Sequence, residues 1–87
     1  MDDEALLWEL ERVARRLGIE VRYEDCEGRG GMGLLRGRRV IFVDERRPPV
    51  GRAEVIASCL AQLDLEGLFI PPRVREFIER HGPFHST

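Results

Sequence analysis

Six consecutive residues, Gly28-Arg29-Gly30-Gly31-Met32-Gly33, match the spacing G-x-G-x-x-G. In a dinucleotide fold this spacing works because the loop leaves a strand and enters a helix. The helix N-terminus then holds the pyrophosphate. Here a strand pattern follows the glycines, and Asp44, the nearest acid at the expected distance, falls on the same hairpin. The run therefore reads as a flexible strand-to-strand connection, with a backbone-amide nest for a smaller anion as the alternative.

Arginine is the second candidate. All fourteen basic residues are arginine. Residues 28–52 carry a net +5 between a 1–27 segment at −5 and a 53–87 segment at −2. Arg29, Arg36, Arg38 and Arg39 could line an anion- or nucleic-acid-binding surface. Only Tyr23 and Phe42 lie near as aromatics, Asp44 and Glu45 interrupt the run, and no helix-turn-helix, zinc-finger or RNP pattern is present. The competing reading is a solvated hairpin face, partly paired with the acidic first helix.

The remaining groups fall short of a catalytic set. Cys26 sits in the glycine loop beside Glu24, Asp25 and Glu27, an arrangement that could supply a thiol nucleophile with acid and base. No histidine is placed near it, and carboxylates in a polar loop stay ionised by default. Cys59 lies on an apolar helix face and reads as a small core residue. His81 and His85 are four apart, but Gly82-Pro83 between them breaks the helix that would bring the rings together. Cys26, Cys59, His81 and His85 offer no pair at metal-ligand spacing. Ser58 is helical and Ser86 lies in the tail, so no triad forms. No cofactor, metal or catalytic residue is expected.

The elements that must position these groups fit in one domain. The chain has 87 residues, 43% hydrophobic and 34% charged, with a net charge of −2. This length excludes a multidomain enzyme. No apolar run approaches a membrane span, and the acidic start (Asp2, Asp3, Glu4) is unlike a secretory signal. A cytoplasmic location with two free thiols is expected.

Leu6, Leu10, Val13 and Leu17 form a stripe at helical period over Asp3–Leu17, with Asp2 or Asp3 as cap and Gly18 as C′ residue. Ile19–Glu24 alternates as a half-buried strand. After the glycine loop at 25–33, Gly33–Arg36 and Arg39–Val43 read as strands joined by a turn at Gly37-Arg38. Pro48-Pro49 opens a second helix over Val50–Leu63, and Pro71-Pro72 a third, to Arg80. The expected fold is α+β in the order α-β-β-β-α-α, a three-stranded, mainly antiparallel sheet with helices on it. It occupies 1–83, with a frayed tail at 84–87.

The run Gly-Leu-Leu-Arg-Gly-Arg-Arg-Val-Ile-Phe-Val-Asp, followed by a proline-bearing connection and an amphipathic helix, resembles the hairpin-plus-helix segment of the ImmA/IrrE-like bacterial zinc peptidases. It is also similar to small bacterial proteins that share this hairpin and helix. The resemblance spans residues 33–63. In that family the helix carries H-E-x-x-H; here the comparable stretch is Ala57-Ser58-Cys59-Leu60-Ala61. The resemblance therefore implies a degenerate scaffold without the family's metal ligands.

One feature points outward. Val40-Ile41-Phe42-Val43 is apolar at four consecutive positions, so both faces of that strand need cover. Leu34-Leu35 repeats this in the partner strand. Two helices can cover one face; only the short third helix and the Leu68–Ile70 connector remain for the other. Three strands also leave two unpaired edges. The first expectation is thus a non-catalytic protein-interaction module, a homodimer or a dock for another protein, using the sheet's second face or an edge. Its contact candidates are Leu35, Ile41, Val43 and Trp8, which lies off the helical stripe. The alternative is an anion or nucleic-acid binder using the four arginines.

Overall fold

The computed structural model describes residues 1–82. His85 and the expected frayed tail at 84–87 lie outside the described residues. Asp2 starts the first helix, α1 (Asp3–Arg16), by accepting the Ala5 N–H at 2.7 Å. The helix ends as its sequence indicates. Gly18, at φ 76, takes the left-handed conformation. Its N–H donates to the Arg15 carbonyl and that of Ile19 to Ala14, the paired bonds of a Schellman ending. The buried stripe is Leu7, Leu10, Val13 and Ala14. Leu6 and Leu17 sit only at its margin, because α1 turns its face toward a second helix rather than squarely onto the sheet.

Three strands follow, β1 (Glu20–Glu24), β2 (Gly31–Leu35) and β3 (Arg38–Asp44), then α2 (Pro49–Leu60) and α3 (Pro72–Arg80). The fold is α+β in the expected element order, and its sheet is mixed, ordered β1-β3-β2. β2 and β3 form the antiparallel hairpin; β1 lies parallel to β3. The turn is Arg36-Gly37, one residue earlier than the glycine alone indicates, with both residues at positive φ (55 and 79). That is the type I′ pattern, whose twist matches the strands. The glycine loop is also shorter than its composition indicates, since Gly31 and Gly33 are already in β2.

Register divides the sheet into two faces. Val21, Tyr23, Ile41, Val43, Met32 and Leu34 share one; Glu20, Arg22, Glu24, Val40, Phe42, Gly31, Gly33 and Leu35 share the other. All three helices belong to the first side. α1 lies against β1, α2 against β3 and β2, and α3 packs on α1 and α2 without reaching a strand. Ile41 and Val43 join Leu10, Ile56, Leu60, Ile70 and Val74 in one core there. Alanines 53 and 57 are fully buried in α2 and let α1 approach closely.

The second face carries no helix. The alternative in which α3 and the 68–70 connector shield it is overturned: Ile70 enters the helix-side core and α3 stacks behind α1 and α2. Neighbouring side chains provide the cover instead. Val40 is 1% exposed, in a depression shared with Glu20, Arg22, Leu35, Arg36 and Arg38. The Phe42 ring lies across Gly33, where a Cβ would stand 3.5 Å from Cε2. The four-residue apolar run is thus covered by a core on one side, while on the other neighbouring side chains bury Val40 and leave Phe42 half-buried across Gly33.

Candidate functional site

Because β3 lies between β1 and β2, the chain leaving β1 must cross the end of β3 to reach β2. Adjacent strands are about 4.8 Å apart, so residues 25–30 bridge two strand spacings. Glu27 and Gly28 take positive φ (54 and 80), and the Arg29 N–H donates to the Cys26 carbonyl at 2.9 Å. Gly30 passes so close to β3 that a Cβ there would lie 2.6 Å from the Phe42 carbonyl oxygen. These needs account for the glycines without a nucleotide.

Asp44 fixes the crossing. Its side chain is 3% exposed. It accepts from the Gly28 N–H at 2.6 Å and the Arg46 N–H at 3.0 Å, with Arg46 Nε at 3.5 Å. The Arg46 and Gly28 amides, with the Arg46 charge, hold its carboxyl below the usual range despite burial. The amide that a phosphate would seek already serves an internal carboxylate.

Cys26 stands half-buried beside this group. Burial, then Asp44, Glu24, Asp25 and Glu45, push its thiol above its ordinary range. A nucleophilic thiol needs the opposite. Cys59 is buried in α2 and its thiol is likewise raised, by desolvation. Ala57 and Leu60, in the stretch comparable to H-E-x-x-H, are fully buried core residues. Among the described residues no three His, Cys, Asp or Glu side chains gather as a metal site. His81 instead closes α3, its ring 4.2 Å from Phe77 and its Nε2 3.8 Å from Glu54.

The basic segment divides in two. Arg46, Arg47 and Arg52 are structural. Arg46 bonds Asp25 at 2.8 Å, Arg47 reaches the Gly28 carbonyl, and Arg52 spans the Arg47 and Glu45 carbonyls beside the Tyr23 ring. Tyr23 in turn donates to Glu11, tying β1 to α1. Arg29, Arg36, Arg38 and Arg39 are exposed and form no ion pair among the described residues. The expected pairing with the acidic first helix is not among these contacts.

The contact candidates separate as well. Ile41 and Val43 are fully buried on the helix side, so they present no surface. Leu35 is 41% exposed on the second face. Trp8 is 53% exposed on α1, under the Arg12 guanidinium. α1 does not touch β2, so Trp8 and Leu35 do not share a surface.

Leu34, missing from the sequence-based set, is 72% exposed. It belongs to β2, which is an edge strand. In a two-residue hairpin Leu35, Gly33 and Gly31 turn their backbone groups to β3, while those of Met32 and Leu34 point outward. These have no partner among the described residues. Beside the edge runs a groove of about 430 Å³ between β2 and α2, lined by Gly30, Gly31, Met32, Glu54, Val55, Ser58, Cys59 and Gln62. The signal in the sequence is a strand, Gly31–Leu35, with no charge and no proline.

Compared with protein-family models, curated proteins and solved structures, the chain finds no match.

Proposed function

We propose that this chain is a non-catalytic protein-interaction module that docks an extended segment as a fourth strand on β2. The observation that carries this is the unprotected edge. Folded proteins guard sheet edges with charge, proline or bulges. The opposite edge, β1, follows that rule: Arg22 lies 3.0 Å from Glu24 and 3.9 Å from Glu20 across its surface. β2 has no such guard and offers outward amides beside a groove, the arrangement that strand addition uses. The acidic surroundings of Cys26 disfavour a thiolate nucleophile at that position. We read the setting as a bacterial cytoplasm, where both thiols stay reduced.

The test is amide exchange by NMR in dilute protein, with a short lysine-flanked peptide of alternating threonine and valine as probe. Slowed exchange at Met32 and Leu34, with β1 amides unchanged, is the expected result. Unaltered Met32 and Leu34 amides at saturating peptide reject the reading.

The four arginines without ion pairs favour a second reading, polyanion binding by the hairpin. It expects oligonucleotide binding that weakens steeply as salt rises. No binding of a labelled oligonucleotide at low salt, by fluorescence anisotropy, rejects it.

A further inference from the structure

The geometry points to a second copy of this chain as the strand that β2 receives, antiparallel and centred on Gly33. This rests on the strand-addition reading above and names its partner. A two-fold axis at Gly33 sets Met32 opposite Leu34 of the second copy. Both residues turn their backbone N–H and C=O outward, so each such pair exchanges two N–H···O=C bonds, as a hydrogen-bonded antiparallel pair must. Gly33 then faces its own counterpart in the close, non-hydrogen-bonded position, where two glycines meet without side chains.

The side chains agree with this register on both faces. On the helix side, Leu34 of the second copy arrives beside Met32 and the groove wall of Val55 and Cys59. This is the most exposed of the large apolar side chains among the described residues. On the second face, Leu35 of the second copy stands opposite Gly31, which pairs with Phe42; large meets small, with an aromatic ring alongside. An unrelated strand would have to reproduce each of these matches, whereas β2 supplies all of them to itself. Such an interface is self-complementary, as a closed two-fold dimer requires.

The experiment combines solution mass with register. Sedimentation of the wild-type chain across micromolar to millimolar concentration should give a mass rising to twice 10.0 kDa, with Met32 and Leu34 amides slowing over the same range. Leu34→Lys should hold the mass at that of one chain. In a Cys26→Ser background, Gly33→Cys should form a disulfide-linked dimer under mild oxidation, and Leu35→Cys, whose counterpart is glycine, should not. A mass that stays at one chain throughout overturns the proposal. So does a dimer whose Met32 and Leu34 amides still exchange freely. If the chain stays monomeric but the threonine–valine peptide protects those amides, the docking reading stands and the second copy is rejected as its partner. If neither occurs, both fall.

Discussion

Asp44 is the residue on which the glycine loop depends. It joins the end of β3 to a backbone amide sixteen positions earlier, at Gly28. Its carboxyl is held low by the Arg46 and Gly28 amides. A carboxylate whose folded pKa is depressed contributes stability that is present in full above the unfolded value, about 3.9. That contribution is lost as pH falls through the folded value. Thermal melts from pH 7 down to about pH 2 should therefore show a steep acid limb below about pH 4, and a shallower one in Asp44→Ala. At pH 7 the same substitution should lower Tm by about 5–15 °C, because the amides it served are left without an acceptor. An unchanged acid limb would remove Asp44 from this role. Cys26 shares the environment, and iodoacetamide at neutral pH should alkylate it several-fold more slowly than a free small-molecule thiol. Faster alkylation would reopen a nucleophilic role. Neither property is legible in the sequence, where Asp44 is only an acid interrupting a basic run. Its partner becomes its neighbour through a crossing over β3 that no local pattern encodes.

Elements with local causes are legible in the sequence, and those with tertiary causes are not. The cap at Asp2, the ending at Gly18, the helices opened by prolines and the β2–β3 hairpin each follow from neighbouring residues. The parallel pairing of β1 with β3 does not, because nothing in Glu20–Glu24 names its partner. The rotation of the α1 stripe onto Leu7 and Ala14 likewise reflects the position of α2. The turn shows the limit of a glycine signal. Gly37 requires positive φ, but so does Arg36, at 55, and an arginine gives no warning of it. Asparagine tolerates this conformation better. Arg36→Asn should therefore stabilise the hairpin by about 0.5–1 kcal/mol, seen as a Tm higher by about 2–8 °C in a dilute sample. A lower Tm would mean that the Arg36 side chain contributes more than its backbone costs.

At the scale of the molecule, the question posed by Val40–Val43 is how so short a chain covers a strand that is apolar on both sides. Part of the answer is internal: the helices gather on one face, while on the other Phe42 lies across Gly33 and Val40 sits buried in a depression that Arg22 and Arg38 line. The second face therefore does not demand a partner, and the open requirement moves to the β2 edge, where exposed Leu34 and the outward amides remain. A domain of this size has a net stability of roughly 4–13 kcal/mol, so an interface that adds even a little is visible as mass action. If the folded chain dimerises through β2, each tenfold rise in concentration above the dissociation constant should add up to about 0.7 kcal/mol per chain. Tm should then climb by about 3–6 °C per decade. Leu34→Lys should flatten that dependence while matching the wild-type Tm at the lowest concentration, since the side chain it replaces is exposed in the single molecule. Scanning calorimetry across two decades of concentration decides the matter. A wild-type Tm that does not move rejects the second copy as the strand that β2 receives. A Leu34→Lys Tm that climbs in parallel with the wild type places the contact between copies elsewhere on the surface.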